Sequence, residues 1–388
     1  LYAVAIGLAM ATTAMVARRT GEKDPEAAAT AAVQAIWLGL GIAALVGIPC
    51  WIYAPKLLEF MGASAGVIET GVPYTRILLG FNVVIVLLYL NNAIFRGAGD
   101  PAIAMRALWL ANGINIVLDP CLIFGLGPFP EMGVGGAAIA TTIGRGTGVL
   151  YQLYMLNSAK GQISIRAVPF TIKPKILFRL VRVSLGGIGQ FLIATASWVV
   201  LMRLVSPFGS AALAGYTIAI RIVIFALLPS WGLANAAATL VGQNLGAERP
   251  DRAERAVWLT GKYNMFFLGF DTVLFVSTAG LMVRVFTDDP ETLAIAASSL
   301  RIMSYGYMFY AWGMVFTQAF NGAGDTKTPT WINLISFWML QIPMAWWLST
   351  STGFGPQGVF WSIAIAESIL TLIAAWMFRR GAWKTQVV

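Results

Sequence analysis

Three carboxylates of this 388-residue chain, Asp119, Asp271 and Glu367, lie inside long apolar runs. A charge at membrane depth costs several kcal/mol, so each is a candidate for proton or ion chemistry. Asp119 has the richest surroundings. Asn112, Asn115 and Asp119 are spaced by 3 and 4 and form a polar stripe on one helix face. Pro120 lacks a backbone N–H and frees the carbonyl of Ile116, adding an oxygen near the same level. Thr141 lies about seven residues into the following run, as far from its end as Asp119 is from the adjoining end of its own run. At 1.5 Å per residue both are roughly 10 Å deep and can share a site. A carboxylate, an amide, a hydroxyl and a carbonyl are hard oxygen ligands, suited to Na⁺ or a proton-linked network rather than a transition metal. Ion or proton coupling is therefore expected at Asp119, Asn115, Thr141 and Asn112, with Na⁺ ligation at Asn115, Asp119 and Thr141. The plainer alternative is a stripe that only locks neighbouring helices together.

The other in-span polar groups are more scattered. Glu367 lies 11 residues into its run and faces Arg145, equally deep in its own, at an offset of 222. An ion pair between the two halves of the chain, or a separate pair within each, would satisfy both. Asp271 lies near the middle of its run with no evident partner. Gln190, Tyr310 and Trp312 join them as residues of a substrate path. Tyr305, Tyr307, Phe309, Tyr310 and Trp312, with Met303, Met308 and Met314, suit flat cationic ligands. Packing bulk is the alternative for most of them. With no histidine, any proton handling falls to carboxylates, and Cys50 and Cys121 give neither a disulfide framework nor a metal spacing. No phosphate-binding glycine loop and no nucleophile–base pair points to an enzyme.

The elements that hold these residues follow from composition. The chain is 58% hydrophobic and 11% charged, against roughly 25% charged in a soluble domain. Its apolar residues form eleven runs, at 1–17, 33–54, 71–95, 103–126, 134–157, 178–205, 212–242, 256–286, 293–320, 328–350 and 356–379. Each is about the length that spans a ~30 Å hydrocarbon core as a helix. The expectation is an all-α polytopic membrane protein whose partner is the lipid bilayer. The net charge of +9 is a topological signal, not a nucleic-acid one: 19 of the 26 Lys and Arg fall in alternate connections. Those connections, and the C-terminus, are expected on the cytoplasmic side of a bacterial inner membrane.

The phrase FRGAGD at 95–100 returns as FNGAGD at 320–325, an offset of 225. The same offset pairs Arg76-Ile77 with Arg301-Ile302, and Val16, Gly21, Pro25 and Ala28 with Val241, Gly246, Pro250 and Ala253. The chain thus reads as two homologous six-helix bundles related by a pseudo-two-fold axis, an architecture of transporters. Residues 1–157 form an N-terminal lobe, 158–177 a cytoplasmic linker and 178–388 a C-terminal lobe. The first lobe shows five spans to the second's six, so eleven of twelve helices are expected here, with an earlier one upstream of Leu1. In the twin phrase, Gly97, Gly99, Gly322 and Gly324 are expected to end helices, and Asp100 and Asp325 to cap the next.

VARRTGEKDPEAA at 16–28, FRGAGD, NIVLDP at 115–120, GVGGAAIAT at 133–141 and NGAGDTKTP at 321–329 resemble the multidrug and toxic-compound extrusion (MATE) family over essentially the whole chain. The resemblance implies ion-coupled efflux of organic cations or other amphiphiles by alternating access. In one prokaryotic branch, the residues matching Asn115, Asp119 and Thr141 form a cation site with an acid on the first helix, which is outside this chain. That branch also carries acids on its seventh and tenth helices, where this sequence reads GIGQFLIATASW and YMFYAWGMVF. A monomeric antiporter driven by H⁺ or Na⁺, with no other cofactor and no nucleic-acid partner, is the expected function. A lipid or lipid-linked saccharide flippase, and a passive channel or scaffold, are the competing readings.

Overall fold

The computed structural model describes residues 1–158 and 161–386, and every regular element among them is helical. The chain divides into two compact units, Leu1–Arg182 and Val183–Val388. The first contains α1 (Tyr2–Gly21), α2 (Pro25–Phe60), α3 (Ala65–Gly80), α4 (Val83–Ala98), α5 (Pro101–Phe124) and α6 (Gly133–Asn157). Helix α7 (Pro174–Val205) starts in the first unit and continues into the second. There it is followed by α8 (Ser210–Gly246), α9 (Pro250–Arg284), α10 (Pro290–Tyr305), α11 (Tyr307–Ala323), α12 (Lys327–Asn333), α13 (Ile342–Thr350) and α14 (Pro356–Arg379).

All eleven expected runs are helical. Seven spans among the described residues are long and apolar enough to cross a membrane, among them α2, α5, α9, α14 and α3–α4 taken together. The other four correspond to α1, α6, α10–α11 and α12–α13, which are diluted by Gly, Ala and Thr or interrupted. Large apolar side chains point outward along the rods, as Leu45, Phe225 and Phe266 do, which suits a hydrocarbon surround.

Two helices break at matching places. α3 gives way to α4 at Phe81, and α10 to α11 at Gly306, 225 residues on. At the first break the Asn82 amide donates to the carbonyl of Leu79 at 2.6 Å, a group the break exposes, and to that of Ala43 on α2 at 3.2 Å. At the second, the Gly306 backbone lies against Ala364 of α14. Between α12 and α13, residues Leu334–Gln341 are π-helical. Pro343 has no N–H to meet the carbonyl of Met339, and the preceding turns widen.

The repeat is written in backbone torsions as well as in sequence. Gly99 and Gly324 end α4 and α11 with φ of 90° and 87°. Among the described residues, the non-glycine positions with positive φ are Lys23 (59°) and Glu248 (57°), again 225 apart. Gly97 packs on the backbone of Thr13 and Ala17, and Gly322 on that of Ala238, so each phrase closes a helix against the repeat-equivalent neighbour. The two aspartates differ. Asp325 accepts from the Thr328 N–H at 3.1 Å and its hydroxyl at 2.6 Å. Asp100 occupies the N-cap position of α5 without a side-chain capping bond, and its carboxylate lies toward Gly161 instead.

The described part of the expected linker lies on α2, within the first unit. Gln34 donates to the Thr171 carbonyl at 2.7 Å and accepts from the Lys173 N–H at 2.8 Å. Val168 is buried beside Ala29 and Val33. Residues 159 and 160 of that segment lie outside the described residues.

Candidate ion-coupling site

Helices α5 and α6 run antiparallel in contact because α6 carries glycines along the shared face. A Cβ on Gly144 would sit 2.6 Å from the Ala111 carbonyl oxygen, and one on Gly148 would sit 3.1 Å from that of Ala107. Gly136 lies against Leu122 in the same way. Small residues on one face let two helices approach through their backbones.

That register sets Thr141 opposite Asn115. The Asn115 amide donates to Asp119 Oδ1 at 3.0 Å and to Thr141 Oγ1 at 3.4 Å. All three residues are half-buried. The amide nitrogen has two N–H groups, one for each acceptor, and Asp119 Oδ2, Asn115 Oδ1 and a lone pair of Thr141 Oγ1 keep acceptor capacity. The carboxylate can hold a proton, and a turn of the Asn115 amide that brings its oxygen inward in place of Nδ2 would give three hard oxygens suited to a small cation completed by water. Among the described residues no cluster of three His, Cys, Asp or Glu could hold a transition metal.

Asn112 does not join them: it is exposed, while the α5 positions that the α6 glycines pack on are Ala107, Ala111, Asn115 and Leu122.

In the second unit the expected path residues separate into different roles. Gln190 is buried and saturated: it donates to Asn321 Oδ1 at 2.9 Å and to the Thr326 carbonyl at 2.9 Å, and accepts from Asn321 Nδ2 at 3.1 Å. It ties α7 to α11 and to the start of α12. Trp312 is a packing residue, stacked on Phe316, tilted against Trp258 and donating to Met265 Sδ at 3.2 Å. Asp271 is 7% exposed, and its Oδ2 has no hydrogen-bond partner. Tyr310 and Glu367 line a cavity together with Tyr216, Tyr307 and Gln341. Separate intra-lobe ion pairs for Glu367 and Arg145 are not formed. The ion pairs among the described residues are Arg19–Glu22 and Lys384–Glu254. Sequence reasoning passed over Tyr216 and Gln341, whose one signal was a polar group in an apolar run.

The MatE family model matches residues 1–121 and 188–347, which include Asn115, Asp119 and the Gly306 break. The chain belongs to the MatE family. Among its relatives is a probable multidrug resistance protein NorM of Thermotoga maritima, 26% identical over 396 residues, covering 99% of this chain and 83% of that one. Another, from Caulobacter vibrioides, carries the same description and is 27% identical, covering 98% and 81%. Among solved structures, a crystal structure of MATE in complex with MaL6 superposes with a TM-score of 0.92 at 27% identity, covering 98% of this chain and 86% of that one. This MatE protein is accordingly a polytopic membrane transporter with the two-lobed helical fold.

Proposed function

We propose that this MatE transporter is a secondary antiporter that exports small amphiphilic or cationic compounds in exchange for H⁺ or Na⁺. Asp119, Asn115 and Thr141 carry the coupling ion. The observation behind this assignment is the hydrogen-bonded contact of the three, in which the Asn115 amide links a carboxylate on α5 to a hydroxyl on α6. A cation there neutralises Asp119 and draws the two helices together. Occupancy therefore favours one packing of the lobe over another by the difference in affinity between them. A tenfold difference corresponds to about 1.4 kcal/mol. A single charge moving through 100 mV supplies about 2.3 kcal/mol, enough to drive such a switch.

The description of the Thermotoga maritima and Caulobacter vibrioides relatives as probable multidrug resistance proteins supports the substrate class. The alternation of Lys- and Arg-rich connections supports a bacterial inner-membrane location with the C-terminus in the cytoplasm. The protein acts as a monomer.

Asp119→Asn, reconstituted in proteoliposomes with ethidium as the transported cation, tests the assignment. Uptake driven by an imposed Na⁺ or H⁺ gradient is expected to collapse while downhill ethidium exchange persists. Wild-type gradient dependence in the variant would refute it.

A further inference from the structure

Three irregularities of the second unit meet at one place. The break at Gly306, the end of the π-helical segment at Gln341, and an acid on α14 all border the same cavity. Its volume is about 40 Å³, and Trp198, Tyr216, Tyr307, Tyr310, Gln341 and Glu367 are among its walls. One water needs roughly 10–15 Å³ of such space, whereas drug-sized sites run to about 300–1,000 Å³. The cavity therefore takes about three or four waters at most and no organic substrate.

Its polar groups are short of partners. Tyr216 Oη, Tyr307 Oη and Gln341 Oε1 are buried and form no hydrogen bond. Glu367 is bonded through its backbone carbonyl, which accepts from Thr371 Oγ1 at 3.0 Å, while its carboxylate is in neither of the ion pairs among the described residues. The titratable groups facing it are Tyr216 from α8 and Tyr307 and Tyr310 from α11. Helices α7 and α10 and the π segment contribute Trp198, Met303 and Gln341, and none of these is charged. Orphaned polar atoms cost about 1–3 kcal/mol each, and π turns and broken helices recur at functional sites.

We propose that Glu367 is a proton-binding site of the second lobe. Its carboxylate takes up one H⁺ and becomes a neutral acid, hydrogen-bonded through water to the Tyr216 and Tyr307 hydroxyls and to Gln341 Oε1. No counter-charge lines the cavity, so the neutral acid fits the closed arrangement, and the charged form favours one that admits more water. Protonation and the packing around Gly306 are thereby linked. Two of the three orphaned oxygens are phenol hydroxyls, whose protons suit a carboxylic acid and its waters better than a desolvated metal cation. The site lies in the other unit from Asp119, and its titration does not depend on the coupling role proposed for that residue.

Infrared pH-difference spectra of the purified protein in a lipid film test this without any transported compound. A protonated-carboxyl C=O component is expected in the wild type, lost in Glu367→Gln, intact in Asp119→Asn and shifted in frequency in Tyr307→Phe. Adding Na⁺ at fixed pH is expected to leave it unchanged. A wild-type spectrum from Glu367→Gln would overturn the assignment, as would a component abolished by Na⁺. Should Glu367→Gln fail to fold, an unshifted band in Tyr307→Phe would overturn it equally. If Asp119→Asn transports normally while the Glu367 component stands, the coupling role of Asp119 fails and the proton site remains.

Discussion

Replacing Gly144 by alanine leaves every oxygen of the α5–α6 site in place and changes only the distance between the helices. The new Cβ would lie 2.6 Å from the Ala111 carbonyl oxygen, whereas carbon–oxygen contacts settle near about 3.3 Å. The helices must therefore part by roughly 0.7 Å at that level. Thr141 lies one turn away, and its hydroxyl is already 3.4 Å from the Asn115 amide. The same opening carries it to roughly 4 Å, beyond hydrogen-bond range. Overpacking costs about 1–3 kcal/mol, and alanine's helix preference returns about 0.5–1 kcal/mol, so the fold loses at most a couple of kcal/mol. Losing one oxygen partner is worth about 1–2 kcal/mol, a factor of roughly 5–30 in affinity for the coupling ion.

Gly146 provides the control on the same helix. A Cβ there meets Val84 Cγ1 at 3.7 Å, an ordinary contact, so Gly146→Ala is expected to match or slightly exceed wild-type stability. The assay is the concentration of Na⁺ or H⁺ giving half-maximal gradient-driven ethidium uptake in proteoliposomes. It is expected to rise 5- to 30-fold in Gly144→Ala and to stay put in Gly146→Ala. Equal values for the two variants would show that the α5–α6 separation does not set the site.

Gln190→Leu removes a fully bonded amide and leaves Asn321 Oδ1 without its donor, while the Thr326 carbonyl keeps the Thr330 hydroxyl and Asn321 Nδ2 keeps Gln318, at about 1–3 kcal/mol for the orphaned group. A lower thermal midpoint with unchanged ion dependence is expected, and a shifted ion dependence would restore Gln190 to the transport path. Near the C-terminus, Lys384 Nζ reaches Glu254 Oε2 at 2.6 Å, and this hydrogen bond holds the Glu254 carboxyl below its ordinary value of 4.5. A depressed carboxyl contributes stability above its unfolded value, and that contribution disappears as pH falls through the folded one. Because both side chains are about a third exposed, Lys384→Ala should cost only about 0.2–1 kcal/mol at neutral pH. Melting curves of variant and wild type should converge below pH 4.5, and a gap that persists in acid would contradict the ion pair.

Sequence periodicity and charge located the spans well, because a lipid surround leaves helices as the main way to satisfy a backbone. The contact of Asn115, Asp119 and Thr141 was legible for a related reason: helical spacing and equal depth fix both azimuth and level. Asn112 is exposed because the face that the α6 glycines pack on is centred on Ala107, Ala111, Asn115 and Leu122, about 100° round the helix from it. The breaks were harder to read. Gly306 sits inside an apolar window where hydropathy does not fall, and its repeat counterpart is Phe81, so no residue match announces the pair. The π segment was hidden similarly, since Pro343 reads as one apolar residue among many. Gln190 looked like a lumen group because its partners, Asn321 and the Thr326 carbonyl, are more than 130 residues away in sequence.

The matched interruptions at Phe81 and Gly306 also have a mechanical meaning. Helix α11 is 17 residues long, about 25 Å from the break to the far end where Gly322 meets Ala238. Pivoting it by about 10° at Gly306 sweeps that end through roughly 4 Å, most of one helical turn. Helix α4, with 16 residues beyond Phe81, has nearly the same arm. Each half of the duplication thus contains a lever with its fulcrum partway along a broken rod, and torsion changes confined to a residue or two there become displacements the size of a side chain at the GAGD ends.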